Sequence, residues 1–357
     1  GFVVTFTIDS SGNIGNAVID SLEFAPAEGI LNPMIISISG DIFAIVYSAA
    51  GQTTKIVTVV IDSSGDILPG IVDSLSVSGS ANSYPRIVAV SGDIYAIDHS
   101  EPTGGTHGEV FTVDIDSSGN IGAAEIDTLA YGTDDGVTGD IINISGTMFA
   151  VVTRNSARGG SVYTFNIAAD GTIDNAATDS HEFDSNADCL WFRILNVSGD
   201  VYVVTYTDGD DDGFARTLTI ASNGTIGAVI DSLEFDTVSA YQPYLAFVSG
   251  GVFAVAYSRR PVDITSGLIK TFTITPGGVF SSVLGTLEFE SVSISAFWPT
   301  LILVTGSTVV CVGYMGVDSD GFVKTASIEA AVGGAGYLWI EGGNLHYIDE
   351  DGNEVSL

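Results

Sequence analysis

The stretch PRIVAVSGDIYAIDHSEPTGGTHGEVFTVDIDSSGNIGAAEIDTLAY, Pro85 to Tyr131, decides the architecture of the chain. It opens with two apolar, β-branched runs, Pro85 to Ser91 and Asp93 to Ser100. Between them lies Ser91-Gly92, where glycine can take the positive φ of a tight hairpin. Glu109 to Asp116 then alternates apolar and polar residues with period two, and SSGNIG leads into a fourth run, Ala124 to Tyr131. The stretch therefore reads as four short strands joined by turns. The first is apolar on both faces and the fourth carries charges, so the unit is expected to grade from a buried inner strand to a solvated outer edge.

Variants of this unit fill most of the 357 residues. The Ser-Gly hairpin recurs at Gly40, Gly92, Gly146, Gly199 and Gly250, with Thr305-Gly306 as the sixth, at intervals of 52, 54, 53, 51 and 56 residues. The second turn recurs at Gly12, Gly65, Gly119, Gly171, Gly224 and Gly278, in strict alternation with the first. A closed ring of repeats follows: an all-β, six-bladed β-propeller with four-stranded blades. The chain begins with third and fourth strands (Phe2 to Phe24), and its last clear hairpin (Pro299 to Met315) supplies a first and second. The expected closure is five complete blades and a sixth assembled from both termini. Phe322 to Ile328 competes with Phe2 to Ile8 for the third-strand place, and residues upstream of Gly1 would make seven blades the alternative.

The propeller is assigned to residues 1–329. Residues 330–336, AAVGGAG, read as a flexible linker, and 337–357 as three short strands which, at 21 residues, are too small to be stable alone. That segment is expected to dock on the propeller or to pair with another chain, which makes a homo-oligomer the expected state.

The repeat resembles β-propeller proteins in general over about nine tenths of the chain. It lacks the Trp-Asp and Gly-His marks of WD40 blades, and DSSGNIG only faintly echoes the Asp-box of sialidases. The C-terminal YLWIEGGNLHYIDEDGNE resembles short terminal segments of tailed-bacteriophage structural proteins. That resemblance implies a virion or surface assembly with protein partners.

Ten basic residues against 44 acidic ones give a net charge of -34, which excludes nucleic acid and anionic membrane as partners. No run of apolar residues is long enough to span a bilayer. No signal peptide is recognisable, and an opening at Gly1 inside a strand suggests processing or a fragment. Cys189 and Cys311 fall at different points of the repeat and read as buried small hydrophobes, not a disulfide.

The first-to-second and third-to-fourth turns are short and regular, whereas the other connections vary, so ligands are expected on the variable face. Aromatic residues stand there beside the first strands: Tyr84, Trp191, Tyr241, Tyr244, Phe297 and Trp298. Such rings suit sugars or protein partners, or else wedge between blades as core. Six residues before each hairpin glycine stand Met34, Arg86, Asp140, Arg193, Tyr244 and Thr300. In that column Arg86, Asp140 and Arg193 could grip an anionic group, or close the channel as an ion network.

No cofactor is required by this reading, and Ca²⁺ is the one candidate ion. In TDGDDDGFA, Asp208, Asp210 and Asp212 precede Gly213 as in oxygen-rich calcium loops, but Thr219 stands where an EF-hand needs its twelfth-position glutamate. Asp318 with Asp320, and Asp349 with Asp351, are shorter versions. His99, His107, His181 and His346 lack metal-ligand spacing and read as lone surface histidines, and no nucleophile elbow or P-loop occurs. The expectation is a non-enzymatic structural or binding protein of a virion or extracellular surface, presenting a face to a glycan or protein. The alternative is a carbohydrate-active hydrolase or lyase with acids at the channel mouth.

Overall fold

The computed structural model describes residues 1–26, 28–49, 53–78, 84–100, 108–132, 139–186, 188–259, 266–291, 297–315, 321–328, 337–341, 344–348 and 354–356. These residues are all-β, without a helix, and the fold is a six-bladed β-propeller built on four-stranded antiparallel blades.

Blade 1 holds β3 to β6 (Ile30–Ser39, Ile42–Ala49, Thr53–Val60, Ser74–Ser78). Blade 2 holds β7 to β10 (Arg86–Ser91, Ile94–Ser100, Gly108–Asp114, Thr128–Tyr131), and blade 3 β11 to β14 (Asp140–Ser145, Met148–Arg154, Gly160–Asn166, Asp179–Asp184). Blade 4 holds β15 to β18 (Leu190–Ser198, Val201–Thr207, Gly213–Ile220, Ile226–Asp236), and blade 5 β19 to β22 (Tyr241–Ser249, Val252–Arg259, Ser266–Thr273, Gly285–Glu290). The sixth sheet is β23 to β25 (Phe297–Leu303, Val309–Met315, Gly321–Ser327). The N-terminal strands β1 (Phe2–Thr5) and β2 (Asp20–Glu23) pair with each other as a separate sheet. The third-strand place beside β24 is thus taken by Gly321–Ser327, where the sequence reading put Phe2 to Ile8. Local succession favours this, because β25 follows β24 directly along the chain.

The chain divides into two compact units. One comprises Gly1–Thr7, Gly15–Ile194 and Thr219–Ala228; the other comprises Ile8–Ile14, Leu195–Leu218 and Val229–Leu357. In the first, Ala96, Val110, Leu129, Ile141, Phe149 and Phe165 form a core between blades 2 and 3. In the second, Ala254, Ile269, Leu301, Val310 and Val312 do the same between blades 5 and 6. Burial does not grade from first strand to fourth as expected. The second strands are the buried ones (β8 and β12 throughout), whereas β3 alternates along its length and exposes Leu31 and Ile35. A first strand ends its sheet and has a hydrogen-bonded neighbour along one edge only, while a second strand is covered on both sides.

Three sets of side chains tie blade to blade. A threonine on β1, β5, β9, β13, β17 and β25 donates to the glycine carbonyl of a neighbouring third-to-fourth turn: Thr5 to Gly65, Thr58 to Gly119, Thr112 to Gly171, Thr164 to Gly224, Thr217 to Gly278 and Thr325 to Gly12, at 2.5–2.8 Å. The last of these joins the N-terminal turn to β25. At five fourth strands an aspartate accepts the backbone N–H beside the same turn: Asp20 from Ile67, Asp73 from Ile121, Asp127 from Ile173, Asp179 from Ile226 and Asp231 from Phe280. Finally, an acid, a tyrosine and a lysine meet at two junctions of the second unit. Tyr257 Oη and Lys270 Nζ donate to Asp236 Oδ2 at 2.5 and 3.1 Å, and Tyr314 Oη and Lys324 Nζ donate to Glu290 Oε2 at 2.7 and 3.3 Å.

Both cysteines are free and buried, as the sequence suggested. The linker 330–336 lies outside the described residues. Beyond it, β26 (Tyr337–Glu341), β27 (Asn344–Ile348) and β28 (Glu354–Ser356) form one antiparallel sheet, with β26 alongside β22.

Candidate functional site

The column read from the hairpin glycines lies where each first strand begins. In the first unit Arg86 Nε stands 4.0 Å from Asp140 Oδ1, the two side chains 12% and 17% exposed. Asp140 Oδ2 also accepts the N–H of Ile194 at 3.0 Å, so one carboxylate joins the first strands of blades 2, 3 and 4. Arg86 Nη1 donates to the carbonyl of Pro85 and Arg193 Nη1 to that of Phe192. In the second unit Tyr244 packs against the apolar core that Ala246, Leu301 and Val312 share.

Two residues before this column runs a feature that spacing alone did not reveal. Asn32, Tyr84, Trp191, Gln242 and Trp298 all have left-handed backbones, with φ between 45° and 57°. Where the strand pairing covers them, the register slips between Leu31 and Met34, Tyr241 and Tyr244, and Phe297 and Thr300. The first strands of blades 1, 5 and 6 are thus entered through a bulge. Gln242 Oε1 accepts the N–H of Trp298 at 2.8 Å, linking two successive entrances. Burial pushes the Tyr84 phenol up, partly offset by its side-chain hydrogen bond with Trp191.

The sequence reading also passed over Asp98. It sits on β8 directly opposite Arg86 and is 2% exposed. Tyr131 Oη donates to its Oδ1, and a Cβ on Gly139 would collide with its Oδ2. Burial pushes the carboxyl up to about 7; the Tyr131 hydroxyl opposes that, nearby Asp140 adds to it, and Arg86 opposes it. The signal was present in the repeat. The residues at this position of the six second strands are Val46, Asp98, Val152, Thr205, Ala256 and Gly313, so Asp98 is the one charge in the column. Asp98 thus places a carboxyl pushed up toward neutrality beside Asp140, and it is closed to solvent.

The loop carrying Asp208, Asp210 and Asp212 folds on itself. Asp208 Oδ1 accepts the N–H groups of Asp210 and Asp212 at 3.1 and 2.9 Å, and Asp211 Oδ2 accepts from Tyr241 Oη at 2.8 Å. Among the described residues no group of three or more His, Cys, Asp or Glu is placed to hold a metal ion. Asp318, Asp320, Asp349 and Asp351 lie outside the described residues. His99 is a correction. It is a buried residue, not a surface one, with Nδ1 2.9 Å from Thr54 Oγ1 and Nε2 3.1 Å from Glu109 Oε1.

No protein-family model matches the chain, and no curated protein does. Solved structures do. A protein of unknown function from Dyadobacter fermentans aligns with a TM-score of 0.55 at 10% identity, over 85% of this chain and 95% of that one. The α-L-arabinofuranosidase Arb93A from Fusarium graminearum aligns at 0.46 and 9% identity, over 77% and 91%. The SapL1 lectin, solved with α-methyl fucoside, aligns at 0.47 and 11%, over 92% and 96%. At these identities the likeness is one of fold alone.

Proposed function

We propose that the protein is a non-enzymatic binding protein of an extracellular surface or virion, engaging a glycan or a protein partner through the residues at its first-strand entrances. The observation that supports this is the choice of residue at the left-handed positions. In both families of repeating hairpin turns the chain meets positive φ with glycine, as at Gly92 and Gly119, and only isolated loop positions such as Arg158 and Asp211 depart from this. At the entrances it instead holds Tyr84, Trp191 and Trp298 in that conformation, at a cost of roughly 1–2 kcal/mol each. A glycine would relieve the strain, so the aromatic side chain is what the position retains. The test is binding to a glycan array and to surface extracts. Trp191→Ala and Trp298→Ala should each abolish or strongly weaken the strongest signal while the melting temperature is held. Binding untouched by both would sink the reading.

A hydrolase is the second reading, and Asp98 with Asp140 is the observation that favours it. Release of reducing sugar from a polysaccharide panel, lost in both Asp98→Asn and Asp140→Asn, would put it first.

A further inference from the structure

The acid, tyrosine and lysine that lock the junction of blades 4 and 5 occupy fixed places in the repeat. Asp236 lies five residues after the turn-capping Asp231, Tyr257 seven after Gly250, and Lys270 eight before Gly278. At the junction of blades 2 and 3 the same places hold Gly132, Thr153 and Tyr163. The lysine has become a tyrosine, the tyrosine a threonine, and the carboxylate is gone. Beside these positions a cleft of about 260 Å³ opens, lined by Asn155, Ser161, Tyr163, Ser180, His181 and Glu182 among others.

The cleft is built, not merely vacant. Asn155 is 7% exposed, and its Oδ1 accepts the N–H groups of Ala157 and Gly159 at 2.9 Å. This fixes the amide so that Nδ2 donates to Glu182 Oε2 at 2.7 Å and to Ser161 Oγ at 3.0 Å. The Glu182 carboxylate is thereby oriented by a buried side chain with further lone pairs to offer. Tyr163 supplies a half-buried aromatic wall, braced from behind by Tyr131 at 5.6 Å between ring centroids. Thr153, in register with Ser161, buries an Oγ1 that has no hydrogen-bond partner among the described residues.

We infer that this cleft is a binding site for a single neutral sugar ring. Hydroxyl, amide and carboxylate groups converge beside one aromatic face, which matches a ring bearing adjacent hydroxyls on its edge and C–H groups on its flat side. Pockets for drug-sized ligands run roughly 300–1,000 Å³, so this smaller volume suits one ring and not an oligomer. The net charge of -34 disfavours uronates and other anionic sugars. The cleft shares no residue with the first-strand entrances, so it stands whether or not those bind anything.

The test is a titration of the whole protein, followed by two-dimensional NMR or calorimetry, with glucose, galactose, mannose and N-acetylglucosamine, and with ethanolamine as an amine control. Saturable binding of at least one sugar is expected. Glu182→Ala should weaken it about 10- to 100-fold, since a hydrogen bond to a charged group is lost. Ser180→Trp, at an exposed position on β14, should block it by filling the mouth. Val279→Ser, at an exposed turn position outside both the cleft and the entrances, should leave it unchanged, and Ser180→Trp, which fills the cleft alone, separates this site from the entrances. The inference is overturned if no sugar binds saturably, if binding survives both cleft variants with melting temperatures intact, or if ethanolamine binds in preference.

Discussion

Two buried acids, Asp98 in the first unit and Asp236 in the second, start alike and end opposite. Each accepts a hydrogen bond from a tyrosine hydroxyl, Tyr131 or Tyr257, and each is at most 3% exposed. Burial raises both. At Asp98 it prevails and the carboxyl is pushed up to about 7. At Asp236 it is overcome by Tyr257, the N–H of Val238 and Lys270, and the carboxyl ends below its usual value. A tyrosine hydrogen bond with an arginine acting only through space therefore does not keep Asp98 charged. At Asp236 backbone amides and a hydrogen-bonded lysine are added.

The sharpest way to break this comparison is Asp98→Asn. The folded chain holds a proton at Asp98 that the unfolded chain releases near 3.8, so this residue's contribution to stability falls as pH rises from about 4 to about 7 and stays low above. A shift of that size corresponds to about 4 kcal/mol. The asparagine variant should therefore gain on the parent protein steadily across that range in urea melts; a constant difference would show that Asp98 is ionised throughout. Asp236→Ala should cost about 3 kcal/mol at pH 7, because Lys270 and Tyr257 lose their shared acceptor. Its sign with pH is the reverse. The lowered value of Asp236 stabilises the fold above 3.8, and that contribution disappears as pH falls through the folded value, so parent and variant should converge in acid. Thr217→Val removes one tie to Gly278 and should cost about 1 kcal/mol by equilibrium denaturation, with no pH dependence.

Much of this architecture was legible in the sequence because turns and strand periodicity are local. The glycines of both turn families take the positive φ that their spacing implied, and the six inner hairpins pair as read. What was not legible depends on neighbours far along the chain. Whether Phe2 to Ile8 or Phe322 to Ile328 lies beside β24 turns on a competition between two similar strands, which no local pattern decides. Nor does composition separate His99, enclosed by Thr54 and Glu109, from an exposed histidine. At the candidate site the column containing Arg86 and Asp140 was readable from the repeat, and the two do meet. Their partner Asp98 would have been found by applying the same alignment one strand later.

The threonine ties run forward along the chain with one exception. Five join groups 59–61 residues apart, so each can form soon after the next blade leaves the ribosome. Thr325 to Gly12 spans 313 residues in the opposite sense. At synthesis rates of roughly 5–20 residues per second, the N-terminal turn waits roughly 15–60 s for its donor. During that interval the same turn could accept the equivalent strand from another nascent chain. Crowded translation, as on polysomes, should therefore favour intermolecular exchange at this one tie and leave the other five unaffected.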